Sequence, residues 1–145
     1  VDIAKMTGAD GVHLGQDDVP PAAARELLGP NAIIGFSTHS LAEATAAASE
    51  PVDYIAFGPI FLTDTKPDTE PVVGLECLAE IRNALPNIPL VAIGGINAEN
   101  IAAVIEAGAD AAAVISSAVA GGENIAKNLA LLTTSAMVTK HPGAK

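Results

Sequence analysis

Short apolar runs rich in β-branched residues recur along the chain at 11–14, 32–35, 54–57, 89–93 and 111–115, and each reads as a strand. Between them, segments at 21–28, 41–49, 75–85, 98–107 and 124–132 carry apolar residues at helical spacing. The order is strand, helix, strand, helix throughout, which specifies parallel strands joined by helical crossovers. Three strands are led into by a similar step: Gly8-Ala9-Asp10, Val52-Asp53 and Gly108-Ala109-Asp110. There glycine can end a helix in the left-handed region and the acidic residue turns the chain into the sheet. The repeat is one βα unit, and only the stretch after the third strand carries an insertion.

Periodicity alone does not separate an open doubly wound sheet from a closed barrel. The placement of polar and glycine residues does more. They follow the C-terminal end of each strand: Gly15-Gln16-Asp17-Asp18, Ser37-Thr38-His39-Ser40, the segment from Gly58 to Thr63, Gly94-Gly95-Ile96-Asn97, and Ser116-Ser117. In a barrel these loops converge on one mouth, where barrel enzymes place their sites. The expectation is therefore an α/β fold, a partial TIM (βα)8 barrel covering about strands four to eight, with 1–135 in one domain and 136–145 a tail. Five strands cannot close an eight-stranded barrel, and the chain opens at Val1 within what reads as the end of a helix, so a missing N-terminal portion is expected. A segment of this kind standing alone would expose strand edges near Gly11 and Ala111 and self-associate.

Composition narrows the class. Of 145 residues, 50% are hydrophobic but only 3% aromatic, a balance that suits parallel strands buried beneath Ala-rich helices. The net charge of −10 argues against nucleic acid and anionic membrane surfaces, both of which need clustered Lys and Arg. An anionic small molecule is not excluded, since backbone amides, one lysine and a metal ion can hold phosphate locally. The lone cysteine, Cys77, forbids an intrachain disulfide, suits a reducing cytoplasm, and in its helical pattern reads as a buried structural thiol. No stretch reads as a secretion signal or membrane span.

The clearest chemical signal is Gly94-Gly95 before a helix expected to begin near Asn97, with a Ser116 loop one unit later. That arrangement matches a barrel phosphate site built from backbone amides, the alternative being a tight turn with no ligand. Thr63-Asp64-Thr65-Lys66 lies on the only long insertion and offers hydroxyls and an ammonium for a second phosphate, although Lys66 could equally be a solvated surface charge. Asp17 and Asp18 can ligate Mg2+, or cap the helix ahead of Pro20-Pro21, and the capping reading leads on the residues alone. Ser37 and His39 lack an orienting acid, which disfavours a hydrolase. His13, inside a strand, reads as a hydrogen-bonded core or pore residue, and His141 as part of a frayed tail.

Taken together, Gly11-Val12-His13-Leu14-Gly15-Gln16-Asp17-Asp18, Gly35-Phe36-Ser37-Thr38-His39, Gly58-Pro59-Ile60-Phe61 with Thr63-Asp64-Thr65-Lys66, Ala92-Ile93-Gly94-Gly95-Ile96 and Val114-Ile115-Ser116 resemble thiamine phosphate synthases over residues 8 to about 120. The resemblance implies a (βα)8 transferase of thiamine biosynthesis that joins hydroxymethylpyrimidine diphosphate to thiazole phosphate and releases diphosphate. It implies Asp18 as a Mg2+ ligand, Ser37 and Lys66 as catalytic contacts to the pyrimidine diphosphate, and Thr63, Thr65, Gly95, Ile115 and Ser116 as holders of the thiazole phosphate. Leu62 departs from the family, which usually has Pro there. The family also draws pyrimidine and metal contacts, including an Asn-Asp pair, from its N-terminal third, so the expectation is activity for the parent protein and negligible turnover for this segment. The competing readings are a related thiazole tautomerase, with His39 moving protons, and a non-catalytic phosphate-binding fragment. Oligomeric state is left open.

Overall fold

The computed structural model describes residues 1–63, 71–122 and 124–137. The elements run α1 (Asp2–Thr7), β1 (Gly11–Leu14), α2 (Pro21–Leu28), β2 (Ile33–Thr38), α3 (Leu41–Ala47), β3 (Tyr54–Phe57), α4 (Gly74–Ala84), β4 (Leu90–Ile93), α5 (Ile101–Glu106), β5 (Ala111–Ala113), α6 (Ser116–Val119) and α7 (Ile125–Met137). All strand pairs are parallel, and the five-stranded sheet has the order β1-β2-β3-β4-β5. A doubly wound sheet reverses its order at a switch point, and this one does not. Right-handed crossovers in a sheet that advances in one direction keep the helices on one face. Side-chain alternation agrees: Leu14, Ile34, Ile55, Phe57, Leu90 and Ala92 are buried, whereas His13, Ile93 and Ala111, pointing the other way, are exposed.

The main core lies between that covered face and the helices, joining Ile55 and Phe57 of β3, Leu90 of β4, Leu78 and Ile81 of α4, and Val104 of α5, all with no exposed surface. Burying each such side chain contributes about 1.5–3 kcal/mol, and Leu78→Ala would cost roughly 2–5 kcal/mol. Cys77 is half-buried against this cluster, a packing thiol. At the two flanks, β1 and β5 are the sheet's edges among the described residues.

Several boundaries differ from the pattern-based expectation. Strand β2 runs on through Ser37 and Thr38, because Thr38 is fully buried and donates its hydroxyl to the Ala56 carbonyl, keeping the end of β2 extended beside β3. Strand β5 stops at Ala113, two residues short of the expected 111–115. The short helix α6 was not anticipated, since four residues are too few to show a period. The inferred lead-in at Gly8 is present: it closes α1 with φ 66° and ψ 34°, the left-handed cap that glycine adopts without a Cβ penalty.

Candidate active site

Sequential parallel strands bring every strand's C-terminal end to one rim. A cavity of about 460 Å³ opens there, lined by Gly15 to Asp18 after β1, Ser37 and His39 at the end of β2, Pro59 and Thr63 after β3, Gly94 and Gly95 after β4, and Ile115 and Ser116 after β5. Every proposed site residue among the described ones therefore lines a single cavity. Thr65 and Lys66 lie outside the described residues, as does His141.

After β1 the chain turns tightly, and the turn is held by Asp18, whose Oδ2 accepts the Gly15 amide at 2.7 Å. This corrects the capping reading: helix α2 has Pro20 at its N-cap and no side-chain cap. Gln16 crosses to β2, its Nε2 donating to the Ser37 carbonyl at 2.6 Å. Asp17 and Asp18 thus present carboxylates at the cavity wall. Among the described residues no three His, Cys, Asp or Glu side chains gather to hold a metal. Two hard carboxylates suit an ion such as Mg2+ that completes its shell with water and substrate oxygens, and do not suit a metal that needs an all-protein cage.

Ser37 Oγ lies 2.7 Å from His13 Nε2, whose Nδ1 lies 3.0 Å from the Tyr54 hydroxyl. Of the two readings of His13, a hydrogen-bonded core or pore residue, the core one does not hold and the hydrogen-bonded one does: it stands exposed on the face of the sheet opposite the buried side chains. Burial pushes the Tyr54 hydroxyl's pKa up, so it keeps its proton well past neutrality. His39 sits differently. Its Nδ1 is 2.6 Å from the Gly58 carbonyl, which can only accept, so Nδ1 carries the proton. The His39 amide donates to Glu43 Oε2 at 2.7 Å while Ser40 Oγ accepts the Glu43 amide at 3.2 Å, a reciprocal cap at the start of α3.

Gly94 and Gly95 have φ 97° and 64°, and a Cβ on Gly95 would lie 2.4 Å from the Leu62 carbonyl oxygen. Glycine is thus required there by the packing of the β3 loop as well as by any ligand. The helix expected near Asn97 begins at Ile101 instead. Asn97 and Asn100 form a turn of their own: Asn100 Oδ1 accepts the Asn97 amide at 2.8 Å, and Asn97 Oδ1 accepts the amides of Glu99 at 2.8 Å and Asn100 at 3.2 Å. Those amides are committed to the turn and are not offered to an anion. Ser116 and Ser117 open α6, where amides have no carbonyl one turn earlier, and Ser117 Oγ donates to the Ile96 carbonyl at 2.8 Å, tying the two loops together.

The family model for thiamine monophosphate synthase matches residues 1–118. The thiamine-phosphate synthase of Chloroflexus aurantiacus is 51% identical over 123 residues, covering 85% of this chain and 56% of that protein. The Azorhizobium caulinodans thiamine-phosphate synthase is 52% identical over 116 residues, 80% of this chain and 54% of that one. Among solved structures, thiamine phosphate pyrophosphorylase from Pyrococcus furiosus superposes with a TM-score of 0.84 at 40% identity, covering 97% of this chain and 65% of that chain. The chain spans about half the length of the curated relatives it matches.

Proposed function

Because this chain belongs to the thiamine monophosphate synthase family, we propose that a protein carrying it joins hydroxymethylpyrimidine diphosphate to thiazole phosphate, forming thiamine phosphate and diphosphate in the cytoplasm. We take the five βα units as positions four to eight of a (βα)8 barrel, and the activity as a property of the closed barrel rather than of these units alone. The observation that carries this reading is one cavity lined by Asp17, Asp18, Ser37, Gly95 and Ser116 together. Two anionic reactants can be held side by side there, which is most of what the chemistry requires.

The bond that breaks joins the pyrimidine methylene carbon to the diphosphate oxygen, and the electron pair leaves with diphosphate. The bond that forms joins the resulting pyrimidine cation to the thiazole nitrogen. No protein nucleophile is needed. Ser37 donates to the departing diphosphate and Lys66 offsets its growing charge. Thr63, Thr65 and the backbone of Gly95, Ile115 and Ser116 hold the thiazole phosphate in line with the cation. Asp18 would hold Mg2+, with Asp17 beside it, and the ion when bound would neutralise charge on the leaving diphosphate.

The test supplies both substrates and Mg2+ and follows thiamine phosphate by chromatography. Product that requires both substrates is expected, and its absence from a protein of the relatives' length would sink the reading. Rates from the 145-residue chain comparable with those of the longer protein would overturn the closed-barrel part. His39→Asn separates synthase from tautomerase: coupling should survive the substitution, whereas a protein that couples nothing and loses a tautomerase activity on this substitution would favour the second.

A further inference from the structure

Three side chains on the uncovered face of the sheet make a hydrogen-bonded line from Tyr54 through His13 to Ser37. Register builds it. His13 stands opposite Gly35, Gly35 stands opposite Tyr54, and Ser37 follows Gly35 by two residues, so all four share a face. Gly35 is what lets the tyrosine reach across: a Cβ there would lie 2.1 Å from Tyr54 Cζ. The two rings stack with centroids 5.5 Å apart and planes 26° from parallel. Of the three polar side chains only Ser37 lines the cavity, and His13 and Tyr54 continue from it along the same face of the sheet.

A serine hydroxyl rotates and can either donate to an anion or turn its lone pairs toward it, which repels. The neighbours decide. Tyr54 retains its proton and can donate it to His13 Nδ1, leaving the histidine proton on Nε2. Nε2 then donates to Ser37 Oγ, and the serine proton is directed away from the histidine, toward the cavity. The opposite polarity would spend the serine proton on Nε2 and present an anion with lone pairs. A doubly protonated His13 also donates to Oγ, so the result at Ser37 is the same.

We propose that His13, held by Tyr54 across Gly35, is a positioning residue that fixes the Ser37 hydroxyl as a donor to the anionic leaving group. This rests on the synthase reading of the cavity.

The experiment measures kcat and KM for His13→Phe, His13→Gln, Tyr54→Phe, Ser37→Ala and the double variant His13→Phe with Ser37→Ala, in a protein of the relatives' length, with thermal melting of each. His13→Phe should lower kcat roughly tenfold to a hundredfold, the usual effect of removing a partner that orients a functional side chain, with KM for thiazole phosphate unchanged. His13→Gln, whose amide can still donate, should recover most of the rate. A packing role predicts the reverse order, since Phe resembles the ring more than Gln does. The double variant should be no slower than Ser37→Ala, because the effects run through one hydroxyl. Additive losses, or His13→Phe within about twofold of wild type, would overturn the proposal while leaving the synthase reading intact. A wild-type protein that forms no product would sink that reading and this inference with it. If His13→Phe does not fold, Tyr54→Phe carries the test: a several-fold fall in kcat supports the proposal and an unchanged kcat refutes it.

Discussion

Arg82 Nη2 meets Asp110 Oδ2 at 2.5 Å, and the same contact is built a second time, at 2.7 Å, by Arg25 and Asp53. Both pairs are 28 residues apart, and in both the aspartate oxygen also accepts a strand amide, Leu90 in one case and Ile34 in the other. Each arginine lies on the helix before one strand, and each aspartate leads into the next. The pairs therefore brace the N-terminal ends of the strands, opposite the cavity. Arg82 also donates to the carbonyls of Gly108, Leu85, Pro86 and Ile88. An exposed ion pair alone contributes little, so the carbonyl contacts should dominate. Arg82→Ala is expected to lower stability by about 1–3 kcal/mol, read as a shifted urea midpoint. Arg82→Lys should recover little, since one ammonium cannot reach so many acceptors. Ligand affinity per folded molecule should not change.

Asp53 gives this bracing a pH dependence. The Ile34 amide, and after it the Arg25 guanidinium, hold its carboxyl below the ordinary value of 3.8. A depressed carboxylate contributes stability that is fully present above its unfolded value and is lost as pH falls through its lower folded value. The wild type should therefore lose an advantage over Asp53→Asn as pH falls below about 4. Urea denaturation of both proteins across that range checks it. A constant difference would mean that the pair's ionisation contributes nothing.

Gly95 and Gly8 have nearly the same backbone angle, φ 64° and 66°, in different surroundings. Nothing lies within 4 Å of a Cβ at Gly8, so Gly8→Ala should cost about 1–2 kcal/mol from strain alone. At Gly95 the added methyl also strikes the Leu62 carbonyl and the Phe61 side chain. Gly95→Ala should cost more, displace the β3 loop, and weaken thiazole phosphate binding, measured by calorimetry. Equal effects in the two variants would show that the close approach at Gly95 is not rigid.

How much of this was legible in the sequence follows from what each feature depends on. Strands β1 and β3 and helix α2 begin and end where the hydrophobic pattern places them, because burial against neighbours sets those limits. The loops at the cavity were found by their composition. What pattern could not show is contact across the sheet. His13, Gly35 and Tyr54 look unrelated along the chain and meet only through strand register. The acids at Asp53 and Asp110 were visible as steps into strands, but their arginines act at long range. Asn97 reads as the start of a helix because an Asx turn and a helix cap use the same residue types, whereas the helix begins after Asn100.

Asp18 has one role in the structure and a second, separable one in the proposed function. Its Oδ2 closes the Gly15 turn, and its charge faces the cavity as the proposed Mg2+ ligand. Asparagine preserves an oxygen that can accept the Gly15 amide but carries no charge, whereas alanine removes both. Asp18→Asn should therefore melt close to wild type while needing at least roughly tenfold more Mg2+ for half-maximal coupling, a loss comparable to that seen when even an outer partner of a metal site is removed. Asp18→Ala should add a stability loss of about 1 kcal/mol, the net contribution of one hydrogen bond. Titrating Mg2+ at fixed substrate, beside melting curves for both variants, distinguishes the roles. An Asp18→Asn variant with an unchanged Mg2+ requirement would leave Asp18 as a turn residue only and direct the search for the ion's carboxylate to Asp17.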